Sequence, residues 1–196
     1  MTRLALTFVA AISLLPVPVV GHHQDAPLTD DALRRFHRAI DAYVDLHRRA
    51  ERSVPALQPT SDWMAIARTL EARAAAIRAA RPAAAAGDLF DAQASEAIRG
   101  RIRAVLQQRG DGLSELLEDT DEEIAPGTAR PAVNGRFPWA RGAMMPPNIL
   151  DVLPPLPEEL QYRIVDRDLV LVDMHADLVV DILPGALPER ASDTWR

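Results

Sequence analysis

The sequence predicts an α+β chain: a bundle of three to four helices, a proline-rich connector, and a small antiparallel β-meander near the C-terminus. Three observations predict it. Apolar residues recur at helical spacing in three segments between residues 29 and 108. Prolines then crowd residues 125–157, which excludes a helix or a central strand there. Three short β-branched and apolar runs follow at 162–165, 168–173 and 178–182, separated by Asp166-Arg167 and by Met174-His175-Ala176-Asp177. The chain divides accordingly into a signal peptide (1–21), a disordered leader (22–28), a helical domain (29–124) and a connector packed on the body (125–157). A three-stranded meander (158–185) and a flexible tail (186–196) complete it.

The first segment has the form of a secretory leader. Arg3 is a short positive region, residues 4–15 are an apolar core too short to span a bilayer comfortably, and Val19-Val20-Gly21 offers small residues for cleavage. The competing reading is an uncleaved membrane anchor. After cleavage at Gly21 no span remains, and the protein is expected in the periplasm or secreted.

Thr29 is a good N-cap for the first helix, with Asp30 and Asp31 at its positive end. Leu33, Phe36, Ile40, Tyr43, Val44 and His47 form its inward stripe. Thr60 or Ser61 caps a second helix over 62–81, with Trp63, Ile66, Leu70, Ala74 and Ile77 inward. A turn at Gly87-Asp88-Leu89-Phe90 leads into a third helix over 92–108, with Phe90, Ala94, Ile98, Ile102, Val105 and Leu106 inward. A short acidic helix over 113–120 and one helical turn over 148–153 complete the helical expectation. The connector is expected to bury its aromatic anchors, Phe137 and Trp139.

A two-residue turn at Asp166-Arg167 sets Ile164 opposite Leu169, Arg163 opposite Val170 and Tyr162 opposite Leu171. Asp-Arg is a poor pair for a turn with two residues at positive φ, so a three- or four-residue turn competes. A loop over 174–177 sets Leu171 opposite Val180, Val170 opposite Asp181 and Leu169 opposite Ile182. Alternation then gives an uncharged core face of Tyr162, Ile164, Leu169, Leu171, Leu178, Val180 and Ile182. The other face, with Arg163, Val165, Val170, Val172, Val179 and Asp181, reads as partly wet. Lysine at Val179 is therefore expected to cost only about 1 kcal/mol.

Composition narrows the function classes. The chain has 196 residues, 48% of them hydrophobic, and a net charge of −6, which argues against a nucleic-acid partner. It has no cysteine, which excludes disulfides, thiolate metal sites and a cysteine nucleophile. No phosphate loop, nucleophile elbow or zinc-protease helix motif is present, and no cofactor is implied. Metal-ligand candidates are few. His22 and His23 would follow the cleavage point, where an amine and an imidazole suit copper(II). Asp173, His175 and Asp177 lie two apart and would project to one side of an extended segment. Asp and His are equally ordinary in an exposed hairpin loop. On the first helix, His47 reads as a hydrogen-bonded core or rim residue, and His37 as wet.

Two pairs of stretches carry a resemblance: Tyr43-Val44-Asp45-Leu46-His47-Arg48-Arg49 with Gly87-Asp88-Leu89-Phe90, and residues 153–173 with Leu178-Val179-Val180-Asp181. Together they resemble a family of uncharacterised exported bacterial proteins, over nearly the whole mature chain. The resemblance implies architecture and export, and no activity. The hairpin alone is similar to that of periplasmic nickel and cobalt homeostasis proteins over about 20 residues, and short alternating hairpins converge easily. The family tends to have glycine in the first turn where this chain has Asp166, which leaves the turn type open. Three functions stay open: a non-catalytic exported binding or scaffold protein, with an envelope protein as its partner; a periplasmic metal handler; and a hydrolase whose site assembles from scattered residues such as His47.

Overall fold

A computed structural model describes residues 30–109, 130–140, 142–143 and 145–188. Helices α1 (Asp30–Ser53), α2 (Trp63–Ala80) and α3 (Ala92–Arg109) come first. They are followed by strand β1 (Gly142–Ala143), the single turn α4 (Pro147–Leu150), and strands β2 (Leu160–Val165), β3 (Asp168–Asp173) and β4 (Leu178–Leu183). The strands form one antiparallel sheet in the order β1-β2-β3-β4. The α+β class and the C-terminal meander are as predicted. The acidic helix over 113–120, the Thr29 cap and the leader lie outside the described residues.

The helices form where apolar periodicity and caps coincide. Phe36, Ile40, Tyr43, Val44 and His47 of α1 are all buried. The cap of α2 is Asp62, not Thr60 or Ser61: its carboxylate accepts from the Met64 N–H at 2.9 Å, while Thr60 receives the Asp62 N–H. Asp91 does the same for α3, accepting from the Ala94 N–H at 2.8 Å and from Arg35 Nε at 2.9 Å. The stripe of α2 is buried only in its second half. Ala74 and Ile77 are in the core, but Trp63 is 71% exposed and Ile66 36%. Periodicity marks an apolar face, and whether anything covers that face depends on where the helix ends relative to the body.

The first turn of the meander is the two-residue turn. Ile164 faces Leu169, Arg163 faces Val170 and Tyr162 faces Leu171. Asp166 takes the positive φ, 55°, and Arg167 does not, so the turn needs one left-handed residue rather than two. The second hairpin starts in the expected register, with Asp173 opposite Leu178 and Val172 opposite Val179. A bulge then intervenes: Leu171 pairs with Asp181, not Val180, and Leu169 with Leu183, not Ile182. The extra residue exchanges the faces beyond it. Leu183 joins the helix-side core and Ile182 moves to the far side with Val179.

Both faces of the sheet are covered. Leu169, Leu171, Leu178, Val180 and Leu183 pack with α1, α2 and α3. On the opposite face Val165, Val170, Val172, Val179 and Ile182 are buried with Phe137. The expectation of a wet second face is overturned, because the proline-rich stretch crosses it as a strap. At one end the strap meets the outer edge of β4: Asn134 N–H donates to Val179 O, Val179 N–H to Gly135 O, and Arg136 bridges Leu178. At the other end β1 pairs with Val165 and Ile164 of β2. The strap thus covers part of both outer strands, which would otherwise present unpaired backbone. Gly142 is required by close approach: a Cβ there would lie 2.4 Å from Phe137 Cζ. Phe137 is buried, while Trp139 stays 46% exposed and packs edge-on against it.

The start of the expected tail is also part of the body. Ala186 and Leu187 are buried, and Leu187 N–H donates to Arg167 O at 3.0 Å.

Candidate functional site: three aspartates and a Tyr–His pair

Asp173, Asp177 and Asp181 recur every four residues through the second hairpin, and each holds a different part of the chain. Asp173 shares strand parity with Leu169 and Leu171, so alternation turns it toward the helices. There its Oδ2 accepts from Tyr43 OH at 2.7 Å and meets His47 Nδ1 at 2.6 Å. Its Oδ1 accepts from the His175 N–H at 2.9 Å and the Ala176 N–H at 3.0 Å. Tyr43 and His47 reach one carboxylate because residues four apart on a helix share a face. All three side chains are buried.

Asp177 sits at positive φ, 50°, and its carboxylate takes Arg136 Nε and, at 2.6 Å, Trp139 Nε1. It fastens the strap. Asp181 fastens the turn before α3. Its Oδ1 accepts from the Gly87 N–H at 2.8 Å and its Oδ2 from the Leu89 and Phe90 N–H groups at 2.7 and 2.8 Å. Gly87 takes φ 93° there, a conformation that suits glycine. Strict alternation would turn Asp181 to the far face, and the bulge turns it toward the helices instead.

The electrostatics follow from burial and partners. Burial pushes the His47 imidazole pKa down, but the hydrogen bond and charge of Asp173, with the charges of Glu51 and Glu159, outweigh it, and the net shift is upward. Burial and the neighbouring Asp173 push the Tyr43 hydroxyl far up, so it stays a donor. Glu159 is held below the usual carboxylate range: burial raises it, but its backbone N–H and the Arg48 guanidinium outweigh that. Arg48 Nε and Nη2 donate to Glu159 Oε1 at 3.1 and 3.0 Å.

The sequence candidates are thus placed as follows. Asp173 and Asp177 are held by separate partners, Tyr43 and His47 for the first and Arg136 and Trp139 for the second, while the His175 ring lies beside that of His47. Among the described residues no three imidazole or carboxylate groups form a ready metal cage. His22 and His23 lie outside the described residues. His47 is the hydrogen-bonded core residue expected, and His37 is half-buried rather than wet. The sequence reading missed Tyr43 and Asp181 as site residues. Tyr43 was detectable from its spacing to His47, whereas Asp181 was hidden by the bulge.

Comparison with protein-family models, with curated proteins and with solved structures gave no match.

Asp91 and Glu159 give a pH prediction. The Asp91 pKa is also lowered, since the Ala94 N–H and Arg35 outweigh its burial. A carboxylate whose folded pKa lies below its unfolded one contributes stability above the unfolded value, and loses it as pH falls through the folded value. Stability should therefore drop on the acid side of the carboxylate range. Asp91→Asn keeps a capping oxygen but loses the pairing with Arg35. It should cost under about 1 kcal/mol at pH 7, and that difference should shrink as pH falls. Urea midpoints at pH 7 and pH 3 measure it.

Proposed function

We propose that the protein is an exported binding or scaffold protein without catalysis. One observation carries the non-catalytic reading: the carboxylates best placed for chemistry are occupied in holding the fold together. Asp173 ties α1, Asp177 ties the strap, and Asp181 ties the turn before α3. A hydrolase would need reactive groups facing a cavity. Among the described residues, a cavity of about 770 Å³ lies between residues 145–156 and β2 and another of about 280 Å³ lies beside α2, and neither of these two is lined by His47. Apolar surface at the start of α2, Trp63 and Met64 with Leu57 nearby, supports a role in contacts with another protein.

The export reading rests on the form of the N-terminal leader. No described helix is long and apolar enough to cross a membrane. Intact-mass analysis of periplasmic material should give a mature chain beginning at His22. A full-length mass in the membrane pellet would refute cleavage and favour the anchor. For the non-catalytic reading, a hydrolytic activity lost in a folded His47→Gln variant would be the contrary result.

A further inference from the structure

We propose that His47 and His175 together bind one divalent transition-metal ion of the borderline class, such as zinc(II), nickel(II) or copper(II). This goes beyond the export and scaffold reading and does not depend on it. It also uses a different ligand pair from the Asp173–His175–Asp177 loop and the His22–His23 terminus.

Four observations meet at this point. The His47 side chain is 1% exposed, and its Nε2 is buried without a hydrogen-bond partner. A buried polar atom left unpaired is costly, and coordination of an ion is one way to satisfy it. Its other nitrogen, Nδ1, is held by a buried carboxylate at 2.6 Å. This carboxylate–imidazole pairing fixes the ring and raises the basicity of the free nitrogen, as it does for metal-bound histidines.

The third observation is the second imidazole. The His175 ring lies 5.7 Å from the His47 ring, centroid to centroid, at an interplanar angle of 54°. Metal–nitrogen bonds of about 2.0–2.1 Å place two imidazoles on one ion with centroids roughly 5–6 Å apart. His175 is half-buried, whereas His47 is enclosed. Asp173 positions both ligands at once: Oδ2 orients the His47 ring, and Oδ1 holds the His175 backbone N–H.

The fourth observation is charge. Glu159 is buried, with Oε1 on Arg48, and both Glu159 and Glu51 act electrostatically on His47. Arg48 and Arg73 offset part of this through their pairs with Glu159 and Glu51. Two imidazoles are the ligands supplied here, and nitrogen ligands suit ions of this class. Protons compete with the ion for the imidazoles, so binding weakens in acid.

The test uses the full chain, stripped with a chelator and titrated calorimetrically with zinc(II), then nickel(II). Cobalt(II) reports ligand type by its visible spectrum. One equivalent should bind at micromolar or tighter affinity. His175→Ala should weaken it at least about tenfold while leaving the metal-free melting curve unchanged. A His22→Ala, His23→Ala double variant should keep it. Nitrogen-15 shifts of the His47 ring should show Nε2 as the ligating atom, which guards against misreading a His47→Gln variant that fails to fold. Absence of stoichiometric uptake, full affinity in His175→Ala, or loss only in the double terminal variant would each overturn the proposal.

Discussion

Asp181→Asn should be among the most damaging single substitutions in the chain, costing roughly 3–5 kcal/mol despite near-identical shape. The wild-type carboxylate uses both oxygens. Oδ1 accepts from Gly87 and Ile182 N–H, and Oδ2 from Leu89 and Phe90 N–H. An amide keeps one acceptor oxygen and turns an NH₂ group toward the other two donors. Those backbone groups lie where water does not reach, since Leu89 and Phe90 are 6% and 2% exposed. Each unsatisfied buried donor costs about 1–3 kcal/mol, against a total stability of about 5–15 for a typical domain. The lost turn also positions Phe90, which stacks on Phe36 at 5.8 Å. Urea unfolding should show a lower midpoint, and the Leu89 and Phe90 amides should lose protection from exchange. A loss under about 1 kcal/mol would show that the turn holds without its carboxylate.

Leu171→Asp and Val179→Lys should both cost several kcal/mol, where a half-wet sheet would separate them widely. Both residues are fully buried, Leu171 against the helices and Val179 beneath the strap. Each substitution removes apolar burial and places a charge in a dry layer. That is roughly 4 kcal/mol or more for Leu171→Asp and about 3 kcal/mol for Val179→Lys. Lysine is the milder case because its long stem can lead the ammonium around a strap one chain thick. The two urea midpoints decide it. If Val179→Lys costs less than about 1 kcal/mol, the strap does not cover the sheet in solution.

Much of this architecture was legible in local pattern. The buried face of α1, the two-residue turn at Asp166-Arg167 and the pairing of β2 with β3 all follow from period and turn spacing, which neighbouring residues impose. Asp173 continues the parity of Leu169 and Leu171, but the expected core face was uncharged and left it out. The α2 stripe was half legible: Ala74 and Ile77 are buried and Trp63 is not. Its periodicity is intact, but the helix outruns the surface that could cover it.

The sequence by itself therefore determined the α+β class, the order of the three long helices and the three meander strands, and the facing of β2 and β3. It did not determine the bulge at Val180, the strap over the second face, or the assignment of each aspartate to its partner. Those depend on groups distant in the chain: Asp173 meets Tyr43 across 130 positions and Asp181 meets Leu89 across 92. Alternation gives a strand two equivalent ways to face. The choice between them past Val180 follows from where the buried N–H groups of Leu89 and Phe90 find an acceptor, and that is settled only when helices and sheet have packed together.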